Sequence, residues 1–196
     1  GTGVMIPEGC TIYCTNPKNN VVAKGLIKID GNLYADFRGK TSQDKDLSTG
    51  LGAIKETSSE EKEKSITPTQ DITFGSNAKV FINGSIRAIN LKVESGANVY
   101  AEGNLFNNDA NGNSTINGNL WVKGFVKART LDVNGYLKSE TAIKVTNQFN
   151  VNNGANVEAS YINVTNNTKD GQKVIEKGEA TLTLNGTGKI TIGNKN

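Results

Sequence analysis

The chain of 196 residues contains no histidine, and it has only two cysteines and three prolines. Without a histidine to act as base, nucleophilic triads of the Ser-His-Asp and Cys-His types are excluded. The common zinc constellations are excluded as well, because they need histidines or a second cysteine pair. The scarcity of proline leaves no long proline-rich linker. The composition therefore argues against an enzyme, and no cofactor or metal is expected.

Long apolar runs and an excess of one charge are also missing. Only 35% of the residues are hydrophobic and 6% aromatic, and 22 basic against 19 acidic residues give a net charge of +3. No run approaches the roughly 18 apolar residues that a membrane span needs, and no basic-then-apolar signal segment opens the sequence. We therefore expect no membrane span in this chain and no nucleic-acid partner.

The two cysteines, Cys10 and Cys14, are separated by three intervening residues. In an extended strand this spacing keeps their Cα atoms beyond the limit of about 7 Å for a disulfide, whereas a turn between them would permit one. The spacing favours two small, buried or half-buried thiols near one end of the fold. The bridged alternative stays open at this point.

Glycine and asparagine are abundant, with 22 and 27 residues. Both tolerate the left-handed backbone region, so a chain rich in them changes direction often. Helical periodicity is nearly absent, whereas short alternating runs such as residues 119–123 and 181–184 recur between Asn-Gly pairs. The pattern predicts an all-β protein.

An internal repeat defines the kind of β fold. Residues 76–86 align with residues 95–105 at an offset of 19, and residues 84–93 align with 124–133 without a gap. Residues 157–164 repeat the later part of that second pattern. The offsets of 19, 40 and 71 are interpreted as one, two and four coils of roughly 17 to 20 residues. The repeat predicts a single-stranded parallel β-helix, or β-solenoid, that forms one domain over the whole sequence.

Coil geometry predicts which side chains face inward. Alternate strand residues point into the core and must be apolar, while their neighbours are Lys, Asn, Thr or Glu. Small residues mark corners where a larger side chain would collide with the next coil, and we expect these to be Ala88, Ala128 and Ala159. Two inward ladders are predicted, one of Ile86, Val126 and Val157 and one of Leu91, Leu131 and Ile162.

Residues 36–70 interrupt the repeat. They hold 13 charged residues, seven acidic and six basic, and show no coil pattern. The segment is predicted to be an insertion that protrudes from an N-terminal coil. Insertions in repeat proteins often lie on the binding face, although a solvated surface loop is the favoured interpretation.

Two sets of outward residues are candidates for ligand binding. Aromatic rings at outward positions could stack on sugars, although several could instead pack beneath the insertion. The aromatic candidates are Trp121, Tyr100 and Tyr136, with Phe106, Phe125 and Tyr161 near them in the pattern. Basic residues on one or two faces could attract anionic glycans. The basic candidates are Arg87, Lys127 and Arg129, accompanied by Lys92, Lys123, Lys138 and Lys144. Solubility and protection of sheet edges are the favoured alternative for the basic set.

The run from Gly124 to Ser139, GFVKARTLDVNGYLKS, resembles the coil pattern of bactofilins, a family of bacterial polymer-forming cytoskeletal proteins. The resemblance covers roughly residues 76–164. It implies a right-handed β-helix and, for function, assembly into polymers. The insertion at 36–70 departs from the bactofilin plan, and the exterior rich in Asn and Thr resembles secreted solenoids of bacterial surfaces.

These observations lead to three functional hypotheses. The first is a non-catalytic adhesion or structural module, extracellular or on the cell surface, whose signal peptide or anchor lies outside this sequence. Its partner would be a polysaccharide, a matrix component or another surface protein. The alternative is a cytoplasmic, bactofilin-like polymer built by end-to-end self-association. The third is a polysaccharide-acting β-helix enzyme, which the isolated positions of the acidic residues disfavour.

Overall fold

The structure is a computed structural model that describes residues 3–14, 26–36, 50–52, 54–56, 66–68, 70–107, 112–165 and 180–193. Every regular element in these residues is a β-strand. The strands stack in parallel coils, with one antiparallel pair as the exception among the described strands. This arrangement confirms the predicted all-β parallel solenoid. Its right-handed sense stays a prediction.

Each complete coil contributes one strand to each of three faces, which follow one another along the chain as faces I, II and III. Face I contains β1 (Val4–Ile6), β3 (Ile27–Ile29), β8 (Ile72–Phe74), β11 (Leu91–Val93), β14 (Asn113–Ile116), the second halves of β16 (Val126–Val133) and β18 (Ala142–Val151), and β21 (Thr181–Leu184). Face II contains β2 (Thr11–Cys14), β4 (Asn32–Asp36), β9 (Lys79–Asn83), β12 (Asn98–Ala101), β15 (Asn119–Val122), β17 (Tyr136–Ser139), β19 (Asn156–Ala159) and β22 (Lys189–Ile192). Face III contains β5 (Gly50–Leu51), β10 (Ser85–Arg87), β13 (Leu105–Asn107), the first halves of β16 and β18, and β20 (Tyr161–Val164).

Faces III and I are joined by strands that do not break at the corner. Strands β16 and β18 each run through it, with a register irregularity between Ala128 and Thr130. One continuous sheet therefore forms faces I and III. Face II is a separate sheet of eight strands, and turns connect it to the other two faces.

The five complete consecutive turns lie between residues 72 and 164. On face II their core ladder is Val80, Val99, Leu120, Leu137 and Val157, with steps of 19, 21, 17 and 20 residues. These steps extend the predicted range of 17 to 20 by one residue. The longest step contains residues 108–111, which lie outside the described residues.

The core is one elongated stack of inward side chains. Leu33, Leu120 and Leu137 are completely buried, while their outward neighbours in the same strands are exposed or half-buried. Burial of one such side chain contributes about 1.5–3 kcal/mol. Because each coil contacts its neighbours, the ladders stabilise the array along its whole length.

One predicted ladder member in each set is wrong. Ile86 and Val126 share face III two coils apart, as the offset of 40 indicates, but Val157 lies on face II. Ile162 lies on face III, in register with Ile143, and does not continue the face I ladder. The spacing apolar-x-Ala-x-x-apolar-x-apolar describes any strand that meets a corner, so it matched two different corners. The offset of 71 is therefore not a whole number of coils.

Small residues do occupy the corners. Ala88 and Ala128 are fully buried where face III meets face I, and Ala159 is buried at the end of a face II strand. Glycine is required where backbones of successive coils approach most closely. A Cβ atom on Gly135 would come within 2.3 Å of the carbonyl oxygen of Gly118 in the preceding coil.

An asparagine ladder follows the corner between faces I and II. The side-chain amide nitrogen of Asn134 donates to Oδ1 of Asn117 at 2.8 Å. Asn152 donates in the same way to Asn134, and Asn185 donates to Asn152, each at 2.8 Å. Asn134, Asn152 and Asn185 therefore each bond to the coil before them. Asn-Gly pairs such as Asn117-Gly118 and Asn134-Gly135, which would signal hairpins elsewhere, form solenoid corners here.

Part of the predicted insertion is described. Within residues 36–70, β5 pairs in parallel with β10 on face III, so this short stretch belongs to the solenoid. Strands β6 (Ile54–Glu56) and β7 (Ile66–Pro68) form the antiparallel pair, and β7 lies against β13 of face III. Residues 37–49, 53, 57–65 and 69 lie outside the described residues. Protrusion of the whole segment stays a prediction.

The two cysteines are not bridged. Cys14 ends strand β2, so residues 11–14 are extended, and Cys10 precedes the strand. Cys10 is exposed rather than buried, which corrects half of the expectation, and Cys14 is half-buried against the core.

Candidate ligand-binding surface on face II

Five aromatic side chains occupy one outward column of face II. The parallel register places them on five successive strands, β2, β4, β9, β12 and β15. The members of this aromatic row are Tyr13, Tyr34, Phe81, Tyr100 and Trp121. Four of them are among the exposed large hydrophobic side chains, with 39% to 70% of their surface accessible. Neighbouring strands are about 4.8 Å apart, so the row extends about 19 Å along the solenoid axis.

Neighbouring rings of the row pack against each other in three pairs. Tyr13 and Tyr34 are stacked, with ring centroids 5.3 Å apart, and Phe81 and Tyr100 are stacked at 5.4 Å. Parallel rings in contact lie about 3.5–4 Å apart, so these centroid distances require lateral offset. Offset leaves one edge and part of one face of each ring available to solvent. The row is thus both a stabilising stack and an apolar surface.

Trp121 has a different orientation. Its ring is perpendicular to Tyr100, at 86° with centroids 5.1 Å apart. Its indole Nε1–H donates to Oε1 of Glu140 at 3.1 Å, and Nζ of Lys138 lies 4.4 Å from the ring centroid. A cation over an indole face is attracted by the ring's electron density. These contacts from the following coil fix the ring and end the aromatic row.

A carboxylate and an ammonium group lie beside Tyr100. The Tyr100 hydroxyl donates to Oε1 of Glu102 at 2.7 Å, and Lys123 donates to Oε2 of Glu102 at 2.8 Å. Burial, reinforced by that hydrogen bond and by the charge of Glu102, raises the pKa of Tyr100 to about 12. The hydrogen bonds from Lys123 and Tyr100 lower the pKa of Glu102. The hydrogen bond between Lys123 and Glu102 raises the pKa of Lys123. The phenol is therefore a neutral donor whose hydrogen is already engaged.

A polar column runs parallel to the aromatic row. It consists of Lys79, Asn98, Asn119 and Tyr136 on β9, β12, β15 and β17. Asn119 donates from Nδ2 to Oδ1 of Asn98 at 2.9 Å, which holds the two amides in line. Burial, with a contribution from the charge of Glu158, raises the pKa of Tyr136.

The aromatic row and the polar column enclose a shallow groove along the solenoid axis. The aromatic wall is Tyr34, Phe81, Tyr100 and Trp121; the polar wall is Lys79, Asn98, Asn119 and Tyr136; the floor is at Val80 and Val99. Among these described residues only Lys79 carries a formal charge. The groove can therefore contact an elongated ligand with apolar atoms on one side and hydrogen-bonding groups on the other.

Three of the six predicted site residues meet at this groove. Trp121, Tyr100 and Tyr136 all line it. The sequence interpretation missed Tyr13, Tyr34 and Phe81. Phe81 was detectable, because the offset of 19 that pairs Val80 with Val99 also pairs Phe81 with Tyr100.

The three predicted basic residues lie elsewhere. Arg87 is on face III and only 1% exposed, so its prediction as an exposed ligand contact is wrong. Its position is outward in the alternation, but it pairs with Phe106 of β13, the strand against which β7 lies. Lys127 is exposed on face III beside Lys144, and Arg129 is half-buried at the corner between faces III and I.

The wider basic set does not form one stripe. Lys92 is on face I and pairs with Glu94 at 2.7 Å, Lys123 pairs with Glu102 at 2.8 Å, and Lys138 covers the Trp121 ring. Their charges are thus largely engaged by neighbours on different faces. This distribution gives no continuous basic surface in the described part of the solenoid.

Other kinds of site receive no support from the described residues. They contain no group of three or more His, Cys, Asp or Glu side chains arranged to hold a metal ion. They also form no helix long and apolar enough to cross a membrane. No family model, no curated protein and no solved structure matches the chain. The class of protein is therefore defined by the fold, which is a parallel β-solenoid.

Proposed function

We propose that this protein is a non-catalytic binding module, extracellular or on the cell surface, that holds a polysaccharide along face II. The observation that carries the proposal is the aromatic row of five rings in register beside a column of amide side chains. The module would act by adhesion or by structural attachment, with the solenoid as a rigid support.

The ligand class follows from the two walls of the groove. A pyranose ring has C–H groups on its faces and hydroxyl groups around its rim. The C–H groups match the exposed rings of Tyr34 and Phe81 and the part of the Trp121 ring that Lys138 leaves accessible, because aromatic rings combine a large apolar area with defined geometry. The hydroxyl groups match the amides of Asn98 and Asn119, which both donate and accept hydrogen bonds.

Rigidity supports binding through many weak contacts. The side chains of the groove project from a hydrogen-bonded sheet, and several are held further by the ring stacking and by the contacts of Trp121 with Glu140 and Lys138. The side chains of the groove therefore lose little conformational entropy when an extended ligand binds. Repeated contacts on the same chain then add to the affinity.

Sedimentation with insoluble polysaccharides tests the proposal. The chain is mixed with cellulose, xylan, mannan, chitin and peptidoglycan, and the bound fraction is measured. A double variant, Tyr100→Ala with Trp121→Ala, should bind the retained polysaccharide at least about 10-fold more weakly, since each ring contact contributes about 1 kcal/mol.

The matched control is Tyr161→Ala, which removes an aromatic side chain that is 53% exposed on face III. It should bind like the original chain, and thermal unfolding should show that all variants are folded. Equal binding by the double variant, or no binding to any polysaccharide, would contradict the proposal.

The proposed location has its own test. Intact source cells are treated with a protease, and peptides of this chain are sought in the released fraction and in the lysate. Release from intact cells supports the surface location. Protection until lysis contradicts it and favours the second candidate function.

That second candidate is a bactofilin-like polymer assembled end to end. The observation that favours it is the exposure of core-ladder side chains in the last described strands. Leu182 and Leu184 of β21 continue the inward ladder of Phe149 and Val151, yet they are 48% and 55% exposed. Unpaired strand edges with apolar side chains are templates for pairing with another chain.

Sedimentation velocity over a range of concentrations and electron microscopy test polymer formation. The variant Leu182→Glu with Leu184→Glu should abolish filaments, while Tyr100→Ala with Trp121→Ala should leave them intact. A monomer at all concentrations rejects this candidate.

A further inference from the structure

We infer that the groove on face II is specific for an uncharged, unbranched glycan chain and that it accommodates about four pyranose rings. This inference rests on the proposed function. It is carried by the charges around the groove and by the positions at which the groove ends.

The charges near the groove disfavour an anionic chain. Lys79 is the single charged residue among the described residues that line it. Three carboxylates lie close by, because Glu102 accepts from Tyr100, Glu140 accepts from Trp121, and Glu158 contacts Tyr136. Two further ammonium groups lie close by, because Lys123 pairs with Glu102 at 2.8 Å and Lys138 lies over the Trp121 ring. These three cations and three carboxylates balance, so a polyanion gains no net attraction, and beyond Lys79 its desolvated acid groups meet no cation among the described residues that line the groove.

The polar wall instead fits neutral groups. Asn98 and Asn119 form an amide pair in which Nδ2 of Asn119 donates to Oδ1 of Asn98 at 2.9 Å, and both side chains line the groove. Amide side chains bond hydroxyl groups equally well as donors and as acceptors. Buried amides that find hydroxyl partners avoid the penalty of unsatisfied polar groups on binding.

The groove has a defined length. Its aromatic row runs from Tyr13 on β2 to Trp121 on β15, which spans five strands and about 19 Å. Beyond Trp121 the aromatic column continues as Lys138 and then Glu158. Charged side chains replace rings at that point, so an additional sugar there would gain no stacking contact.

Calorimetric titration with soluble oligosaccharides tests both parts of the inference. The probes are β-1,4-linked gluco-, xylo- and manno-oligosaccharides and α-1,4-linked galacturono-oligosaccharides, each from dimer to hexamer. We expect a neutral series to bind, with an affinity that rises to the tetramer and then stays within about twofold. Raising the salt concentration should leave the affinity unchanged, because no ion pair is formed.

Variants sharpen the test. Tyr34→Ala at the far end of the groove should weaken tetramer binding about 5-fold while leaving dimer binding unchanged, since dimers have other rings available. Lys127→Gln, which removes an exposed charge on face III away from the groove, should leave the affinity for a neutral chain within about twofold. Melting curves serve as the control for folding.

The failures are distinguishable. Tighter, salt-sensitive binding of galacturono-oligosaccharides overturns the uncharged specificity but leaves the proposed function standing. An affinity that still rises from the tetramer to the hexamer overturns the inferred groove length of about four pyranose rings. Binding to an insoluble polysaccharide without binding to any oligomer also overturns this inference alone. Absence of binding to every soluble and insoluble probe overturns the proposed function and the inference together.

Discussion

Faces II and III follow the same inward and outward alternation, yet phenylalanines at outward positions of the two faces have opposite environments. Phe81 on face II is 39% exposed, whereas Phe106, at an outward position on face III, is 6% exposed. The difference is that β7 lies against β13, the strand that carries Phe106. Strand alternation therefore defines the direction of a side chain, and the rest of the chain decides whether that direction leads to solvent.

The largest expected effect compares these two phenylalanines. Phe106→Ala should lower the free energy of unfolding by about 3–5 kcal/mol, because it removes a buried ring that also contacts Phe125 edge to face at 5.2 Å. Phe81→Ala should cost about 1 kcal/mol, since the ring is partly solvated. Urea unfolding measures both values. Equal costs would show that the cover over face III contributes nothing.

A second comparison uses two basic residues in one outward column of face III. Arg87→Ala should lower the free energy of unfolding by about 2 kcal/mol, because its buried stem packs in the covered part of the face. Lys127→Ala, which lies two coils further along and is exposed, should stay within about 0.5 kcal/mol of the original chain.

The longer apolar substitution Arg87→Met refines that comparison. It should recover most of the free energy of unfolding that Arg87→Ala loses if the packing of the buried stem is the main contribution of Arg87. A stability for Arg87→Met as low as that of Arg87→Ala would mean that the charge of Arg87 matters more than its stem.

The smallest expected effect is on the ionisation of Tyr100, which reports how far water is excluded from face II at this ring. The pKa of Tyr100 is raised from 10.0 to about 12 in the folded protein. The neutral phenol therefore stabilises the fold fully below about pH 10, and this contribution is lost as the pH rises toward 12. Absorbance titration of phenolate, compared between the original chain and Tyr100→Phe, should show one tyrosine that ionises near pH 12.

A further variant separates the causes of that shift. Glu102→Gln should bring the ionisation to a lower pH but keep it above the ordinary value, because burial is the largest cause. A Tyr100 ionisation near pH 10 in the original chain would show that face II is fully hydrated at this ring.

Much of the fold could be predicted because local rules govern it. The offset of 19 between Val80 and Val99 is a true coil step, and alternation identified Trp121 and Tyr100 as outward residues. Val157 was assigned to the wrong face, because two different corners of the solenoid have the same spacing of apolar and small residues.

The groove itself was only partly predictable. Its aromatic row depends on register between strands far apart in sequence, such as Tyr34 with Phe81, which are separated by the segment that shows no repeat. The burial of Arg87 is a tertiary property, since it pairs with Phe106 of β13, the strand against which β7 lies, and no pattern within β10 indicates it.

The asparagine ladder implies that this molecule can change length only in whole steps. Asn134 and Asn152 each donate to the previous coil and accept from the next, so a partial insertion between Asn117 and Asn134 would break the series. A tandem copy of residues 117–133 would instead add one more amide, one more strand to every face and about 4.8 Å of groove. The unit of length of this protein is thus one coil, and duplication of the gene segment for one coil would lengthen the binding surface without any change to the core.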